Sequence, residues 1–454
     1  MKINKALFSS NNDLSIIGVI LLSNEDFEIP WYESPALNDV VGLMGARAMQ
    51  GIMNTFSGNR IFGGKTGVTT VAIELGKRLD EGEKRLLIIA DSFTKRFCED
   101  VVPDFEDNGF EIKVWSGVEP EVPMYILDDG LQICNDFKPT VFLAVGGGSV
   151  LDAAKALWIV YEQPGINLMQ IDILDNAVGL RRKVKALVAI PTTIGTGSEV
   201  TTAAIVTDTK RDPPKKISLT VDETLPDYVI LDTKFVKTLP PFLIMATGLD
   251  ALAHSLGAIT SNWGSPLSDA INMVAIEEVL RYLPRLVKYG TKDEEALEHM
   301  QWAALLAGMG FNNAMPGIEH SLGHSFGAVM HVHHGLSVGM FCAQSVAWQA
   351  KVTEKWRKLG PLFGVKEEKY STRQEYLEAI VKAIQAFQRA MGGVASVKEI
   401  TEPKITKADY QSKLEILARY SKEDAVTLTS YRPVGEKNYR RMFEAAWDGE
   451  KLVY

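Results

Sequence analysis

Apolar residues follow two different rhythms along this chain. Up to about residue 232, short unbroken apolar runs alternate with amphipathic stretches. The runs at 85–90, 110–115, 140–145 and 185–190 carry little polar alternation, which is the mark of strands buried on both faces. Helical spacing occupies the gaps, from about residue 66 to 79 and at 94–108, 123–135 and 149–161. Buried strands alternating with helices predict a parallel sheet covered on both sides. After Leu231-Asp232 the rhythm becomes helical throughout, at 241–259, 266–283, 294–311, 336–351, 373–391, 407–419 and 436–448, with no strand of comparable strength. The expected fold is therefore an α/β domain over residues 1–235, including an N-terminal extension, and an all-α domain over 236–454. Within that extension, 15–22 reads as a strand and 36–53 as a helix.

Composition narrows the class. The chain has 454 residues, too many for one compact core. Hydrophobic residues make up 46% and charged residues 23%, an ordinary globular balance that argues against disorder. A formal net charge of −9 without a basic stripe argues against a nucleic-acid partner. Three scattered cysteines, Cys98, Cys134 and Cys342, suggest neither a disulfide framework nor a zinc–thiolate site, and fit a reducing cytoplasm. The apolar run at 16–22 is too short to cross a bilayer, which takes about 20 residues, so no membrane association is expected.

Candidate chemistry begins at Ala144-Val145-Gly146-Gly147-Gly148-Ser149, between a strand and a helix. Glycines let backbone N–H groups approach a diphosphate, and the helix start aims its positive end at that anion. Asp152 is placed to cap the first turn. The pattern is not the usual G-x-G-x-x-G with a downstream acid. The best ribose-binding acid lies upstream: Asp91, at the carboxyl end of an earlier strand. A carboxylate there can accept both ribose hydroxyl hydrogen bonds and would repel a 2′-phosphate, so NAD is expected over NADP. The alternative reading of Asp91 is a helix N-cap. A second glycine- and hydroxyl-rich segment, Pro191 to Glu199, follows the strand at 185–190 and can donate to phosphate or a carboxamide, or serve as an ordinary loop. Gly63-Gly64-Lys65-Thr66 imitates a P-loop, but its first glycine position holds Asn59, and no convincing core strand precedes it.

Five of the seven histidines lie between His320 and His334. Asp250 and His254 share a helix face at i, i+4, as do His320 and His324. His331, His333 and His334 precede the next helix. An aspartate with several imidazoles suits a borderline divalent ion such as iron(II) or zinc(II), acting as a Lewis acid on an alcohol or aldehyde oxygen. Glu319 reads as a supporting or surface residue, and His299 as a surface residue.

These segments together resemble the iron-containing (group III) alcohol dehydrogenases over roughly 62–448. The most specific pieces are Gly146-Gly147-Gly148-Ser149 with Asp152, Pro191-Thr192-Thr193 with Gly195-Thr196-Gly197-Ser198-Glu199, Gly248 to His254, and His320-Ser321-Leu322-Gly323-His324 with His334-Gly335. The resemblance implies a Rossmann-like dinucleotide-binding domain and a helical domain, an architecture shared with dehydroquinate synthases, with the active site in the cleft between them. It implies metal ligands Asp250, His254, His320 and His334, iron(II) before zinc(II). It gives His324 a proton-relay role near the nicotinamide. It implies NAD contacts at Asp91, Gly147, Gly148, Ser149, Thr192, Thr193 and Lys216. Ala203 departs from the family, which often has Asn at that contact position. The implied activity is reversible hydride transfer between NAD(H) and a small, aliphatic alcohol or aldehyde, in a homodimer or larger homo-oligomer. The alternatives are a metal- and NAD-dependent lyase of the dehydroquinate synthase type and a non-catalytic NAD-binding assembly protein. The first needs a basic pocket, and Lys and Arg are sparse over 294–350.

Overall fold

A computed structural model of the protein describes residues 58–171 and 177–449. The strand expected at 15–22 and the helix expected at 36–53 lie outside the described residues. The α/β part runs β1 (Arg60–Gly63), α1 (Gly67–Arg78), β2 (Arg85–Asp91), α2 (Val102–Glu106), β3 (Glu111–Val118), α3 (Ile126–Phe137), β4 (Val141–Gly146), α4 (Gly148–Glu162), β5 (Ala186–Pro191), β6 (Ala203–Asp208), β7 (Lys215–Thr220) and β8 (Tyr228–Leu231). Six of these strands form one parallel sheet in the order β1-β8-β5-β4-β2-β3. Side chains alternate across it. Leu87, Ile89, Phe142 and Ala144 pack with α3 and α4 on one face, while Leu86, Ile88, Leu143 and Val145 pack with α1 on the other.

Strand order reverses between β2 and β4, where α/β sheets open a crevice at the carboxyl ends of their strands. Register aligns Gly146 with Pro191, so the two glycine-rich turns leave the sheet side by side. Thr192 N–H closes the pair on Gly146 O at 2.9 Å.

The helical part comprises α5 (Pro241–Thr260), α6 (Pro266–Tyr289), α7 (Glu294–Asn312), α8 (Ile318–Met330), α9 (His334–Gln349), α10 (Leu359–Leu362), α11 (Arg373–Ala390), α12 (Lys407–Ser412), α13 (Leu414–Lys422) and α14 (Glu436–Ala446). α5 is its axis. By length and composition α5 could span a membrane, yet 89% of that stretch is buried inside the protein. It is apolar because α6, α7 and α9 cover it on all sides.

Four expectations need correction. The helix expected at 94–108 is a 3₁₀ segment (Thr94–Asp100) followed by the short α2, because Pro103 has no N–H to continue an upstream helix. The helix expected at 407–419 breaks into α12 and α13 at Lys413. Strands β1 and β8 and the antiparallel hairpin β6–β7 were not anticipated, and β1 does precede the P-loop-like segment, as a four-residue edge strand. Asp152 does not cap α4. Its two oxygens accept from Ser198 Oγ (2.7 Å) and Ile205 N–H (3.0 Å).

Beside it, Lys155 is fully buried and donates to Ser198 O, Ser198 Oγ, Thr201 Oγ1 and Ala203 O. Burial lowers its pKa to about 8, against the pull of Asp152 and Glu199. This pair stitches the helix of the first glycine turn to the segment that follows the second. Lys155→Met would leave Glu199 buried without a cation and Asp152 with only the more distant Lys216. We expect a loss of about 3 kcal/mol in denaturant-induced unfolding, with weaker cofactor binding.

Candidate metal centre and cofactor turns

The glycines of the first turn serve two purposes. A Cβ on Gly146 would collide with Val150 of the helix that follows. At Gly147 and Gly148 it would meet Thr193 Cγ2 at 3.0 Å and Thr196 Cγ2 at 2.8 Å. Side chains there would fill the gap between the two turns. With glycine the gap is a backbone-lined cradle at the start of α4, the geometry a diphosphate requires. Thr193 and Thr196 line the same gap, Thr192 joins it only through its backbone, and Thr193 Oγ1 is buried without a partner. Ser149 Oγ accepts from Glu121 N–H at 3.2 Å. Asp91 closes the turn after β2, its Oδ1 accepting from Phe93 N–H (2.8 Å) and Thr94 N–H (2.7 Å). The turn-capping reading of Asp91 is thus realised, and Oδ2 keeps its acceptor capacity.

The second turn carries the cleft across to the helical part. A Cβ on Gly195 would strike the Thr247 carbonyl of α5. Less than one helical turn further on stands Asp250, and four residues beyond that His254. From α8 come His320 and His324, and His334 opens α9.

Asp250, His320 and His334 each offer a ligand atom, and all three atoms lie within 4.8 Å of one another. From Asp250 Oδ1, His334 Nε2 is at 3.5 Å and His320 Nε2 at 3.9 Å. His254 stands just outside this trio, its Nδ1 3.8 Å from the same oxygen and its ring stacked between His320 and Phe311. His324 stacks on His334 and meets His320 edge-on, and its Nδ1 is committed to Asp424 at 2.8 Å. Lys216 pairs with Glu121 at 3.2 Å, and its charge reaches Asp250, His333 and His334.

The donor set fits a divalent cation. Asp250 Oδ1, His254 Nδ1, His320 Nε2 and His334 Nδ1 are all buried with no hydrogen-bond partner. Burial pushes Asp250 up to about 8, with Lys216 opposing. Burial also holds His320 below, and His254 and His334 well below, the ordinary imidazole value, with neighbouring histidines or Lys216 adding to it; the Gly195 backbone hydrogen bond resists this at His254, and Glu319 resists it at His320. The imidazoles are therefore neutral lone-pair donors near pH 7, while Asp250 without a cation keeps its proton.

Two supporting acids emerge from the structure. Glu319 is fully buried, and its Oε1 accepts from Gly317 N–H (2.8 Å) and meets His320 Nδ1 at 3.1 Å, turning Nε2 toward Asp250. Asp424 lies a hundred residues beyond His324, and no local spacing pointed to it. His331 caps α8 in a left-handed conformation, and His333 stands exposed, edge-on to Phe242 at 5.2 Å. His299 is a partly exposed partner of Glu278 on the outside of the bundle.

Comparison with known proteins gives the family. Residues 64–233 match the iron-containing alcohol dehydrogenase family, and residues 244–447 match the C-terminal region of the Fe-containing alcohol dehydrogenase family. The chain is 31% identical over 377 residues to an NADPH-dependent butanol dehydrogenase of Clostridium saccharobutylicum, covering 82% of this chain and 94% of that one. It is 30% identical over 367 residues to an NAD-dependent methanol dehydrogenase of Bacillus methanolicus, covering 79% and 91%. Among solved structures, the iron-containing alcohol dehydrogenase of Thermococcus thioreducens superposes with a TM-score of 0.74 at 27% identity, covering 86% of this chain and 99% of that one. A 1,3-propanediol oxidoreductase gives 0.75 at 25% identity, covering 86% and 98%.

Because Asp250 is protonated near neutrality without a cation and the imidazoles are not, metal uptake at pH 7 should release about one proton, from Asp250. Calorimetric titration of metal-free protein in buffers of different ionisation enthalpy reads this directly. Release of none, or of several, would contradict the assignment of protonation states.

Proposed function

Because the chain belongs to the iron-containing alcohol dehydrogenase family, we propose that Asp250, His254, His320 and His334 hold its catalytic divalent cation and that His324 moves the substrate proton. The protein is a metal-dependent, NAD-dependent oxidoreductase of alcohols and aldehydes. The observation that carries the residue assignment is the buried cluster in which His254 Nδ1, His320 Nε2 and His334 Nε2 stand 3.8, 3.9 and 3.5 Å from Asp250 Oδ1, with Oδ1 and the first two nitrogens lacking any hydrogen-bond partner. When bound, the cation would supply Lewis acidity toward the alcohol oxygen and the nicotinamide would supply the hydride acceptor.

The chain's own residues do the rest. Gly147, Gly148 and Ser149 receive the cofactor diphosphate at the start of α4. Thr192 and Thr193 extend that surface toward the nicotinamide end. Thr193 Oγ1, buried and unpartnered, is a hydrogen-bond donor in waiting. Lys216 carries positive charge at the same opening. His324, beside His334 and His320, takes the hydroxyl proton during alcohol oxidation and returns it during aldehyde reduction. Contact between the Gly195 turn and α5 fixes that turn relative to the donor set, so a cofactor held there would be oriented toward it. We place the division between the cofactor-binding and metal-binding domains near residue 236, and we expect a homodimer or larger homo-oligomer acting on small aliphatic substrates in the cytoplasm.

Asp91 favours NAD. With Oδ1 spent on Phe93 and Thr94, Oδ2 remains for a ribose hydroxyl and would repel a 2′-phosphate. Lys95 and Arg96 stand on the next turn. Asp91→Gly should therefore narrow the NAD-to-NADP ratio of kcat/KM by about tenfold or more, one lost charge–phosphate repulsion being worth about 1.4 kcal/mol or more. An unchanged ratio would remove Asp91 from cofactor selection. His320→Ala should retain neither metal, measured by elemental analysis, nor turnover of any alcohol or aldehyde with NAD(H). Full turnover by that variant would rule out the proposed centre.

A further inference from the structure

The proton role given to His324 leaves open what decides which of its two nitrogens carries the hydrogen. In the cluster around Asp250, His320 is oriented by Glu319, whereas His324 is oriented from another part of the chain. Its Nδ1 lies 2.8 Å from Asp424 Oδ2, and both side chains are only 6% exposed. The other carboxylate oxygen, Oδ1, accepts from Val426 N–H at 3.0 Å. An ionised carboxylate can only accept, so this contact requires the hydrogen to sit on Nδ1. In the neutral ring the opposite edge, with Nε2, is then the lone pair, turned away from Asp424.

Asp424 has little freedom to do anything else. It follows α13 and opens a 3₁₀ turn, Ala425–Thr429. That turn is sewn to α8, the helix of His320 and His324. Ser421 Oγ donates to Ser321 O and Ser325 Oγ, both at 3.0 Å, and Thr427 Oγ1 lies 3.0 Å from Ser321 Oγ. Thr427 Oγ1 also donates to Ser421 O and meets Tyr439 OH at 2.7 Å. Next to Asp424, Glu423 pairs with Lys215 of β7 at 2.5 Å. Burial would push the Asp424 carboxyl up, but its contact with His324, the Val426 N–H and Lys215 outweigh it and hold it below the usual range. A core aspartate serving only to anchor a turn needs no histidine partner facing a donor cluster.

We propose that Asp424 is a positioning residue for proton transfer: it fixes the His324 ring as the Nδ1–H tautomer, leaving Nε2 as the base. The inference rests on the proton role of His324 set out above. The test uses full-length, zinc-loaded enzyme with 15N-labelled histidine. Wild type, Asp424→Asn, His324→Gln and Glu423→Gln are compared by zinc content, side-chain nitrogen shifts, kcat and KM. Asn can present either its carbonyl or its amide N–H₂ to Nδ1, so the tautomer is no longer dictated. We expect Asp424→Asn to keep its zinc and its KM for NAD, to lose about 100-fold in kcat, and to show mixed tautomers at His324. Glu423→Gln, at the same helix end, should keep wild-type kcat and the Nδ1–H signal. If Asp424→Asn turns over like wild type while His324→Gln is inactive, the inference about Asp424 fails and the role of His324 stands. If His324→Gln turns over like wild type, both fail. Loss of zinc in step with activity in Asp424→Asn would make Asp424 a structural residue and overturn the proposal.

Discussion

A carboxylate oxygen and three imidazole nitrogens, buried together without partners, set the terms for the rest of this molecule. Each unsatisfied buried polar atom costs on the order of 1–3 kcal/mol. No protein group offsets that at Asp250, His254, His320 or His334. A folded chain carries such a cluster only if something outside the chain completes it. The surroundings are arranged to keep the donors pointed inward. Phe311 backs the His254 ring, Glu319 holds Nδ1 of His320, and the apolar length of α5 keeps Asp250 away from water.

The two halves of the fold meet on that cluster, and they do so through backbone. Gly195 lies against the Thr247 carbonyl, and Gly197 lies against Gly308. These approaches are too close for any side chain. They bring the turn after β5 onto α5 and α7, so the glycine-lined cradle and the donor set share one wall. The Lys155–Asp152 pair keeps that wall from shifting, by tying α4 to the segment after the second turn.

Much of this was legible in the sequence, for an identifiable reason. Buried parallel strands are apolar throughout, and their signature is local: β2, β4 and β5 lie within a residue or two of their expected positions. The Asp250/His254 and His320/His324 spacings are helical, so each pair declared its shared face. Features that depend on distant segments stayed hidden. β6 and β7 form a hairpin outside the main sheet, interrupted by Pro213-Pro214, and neither strand has the unbroken apolar run of a central strand. The strand β8 is only four residues long. Pro103 breaks an otherwise helical pattern, and its effect is visible only once the short helix begins beside it. Asp424 gave no sign of its role, since its partner is a hundred positions away and its own neighbourhood reads as an ordinary turn. Asp91 was readable in both of its capacities, and capping a turn with one oxygen does not consume the other.

The helix α5 acts as a ruler. Thr247, Asp250 and His254 are graduations on one rigid rod, touching in turn the second glycine-rich turn, the centre of the donor set and its edge. An α-helix rotates by about 100° per residue. A single insertion between Thr247 and Asp250 would thus swing the carboxylate a quarter-turn or more off the cleft while leaving the rod intact. Surface loops in such a protein can lengthen and drift through evolution, but this one segment must keep its count.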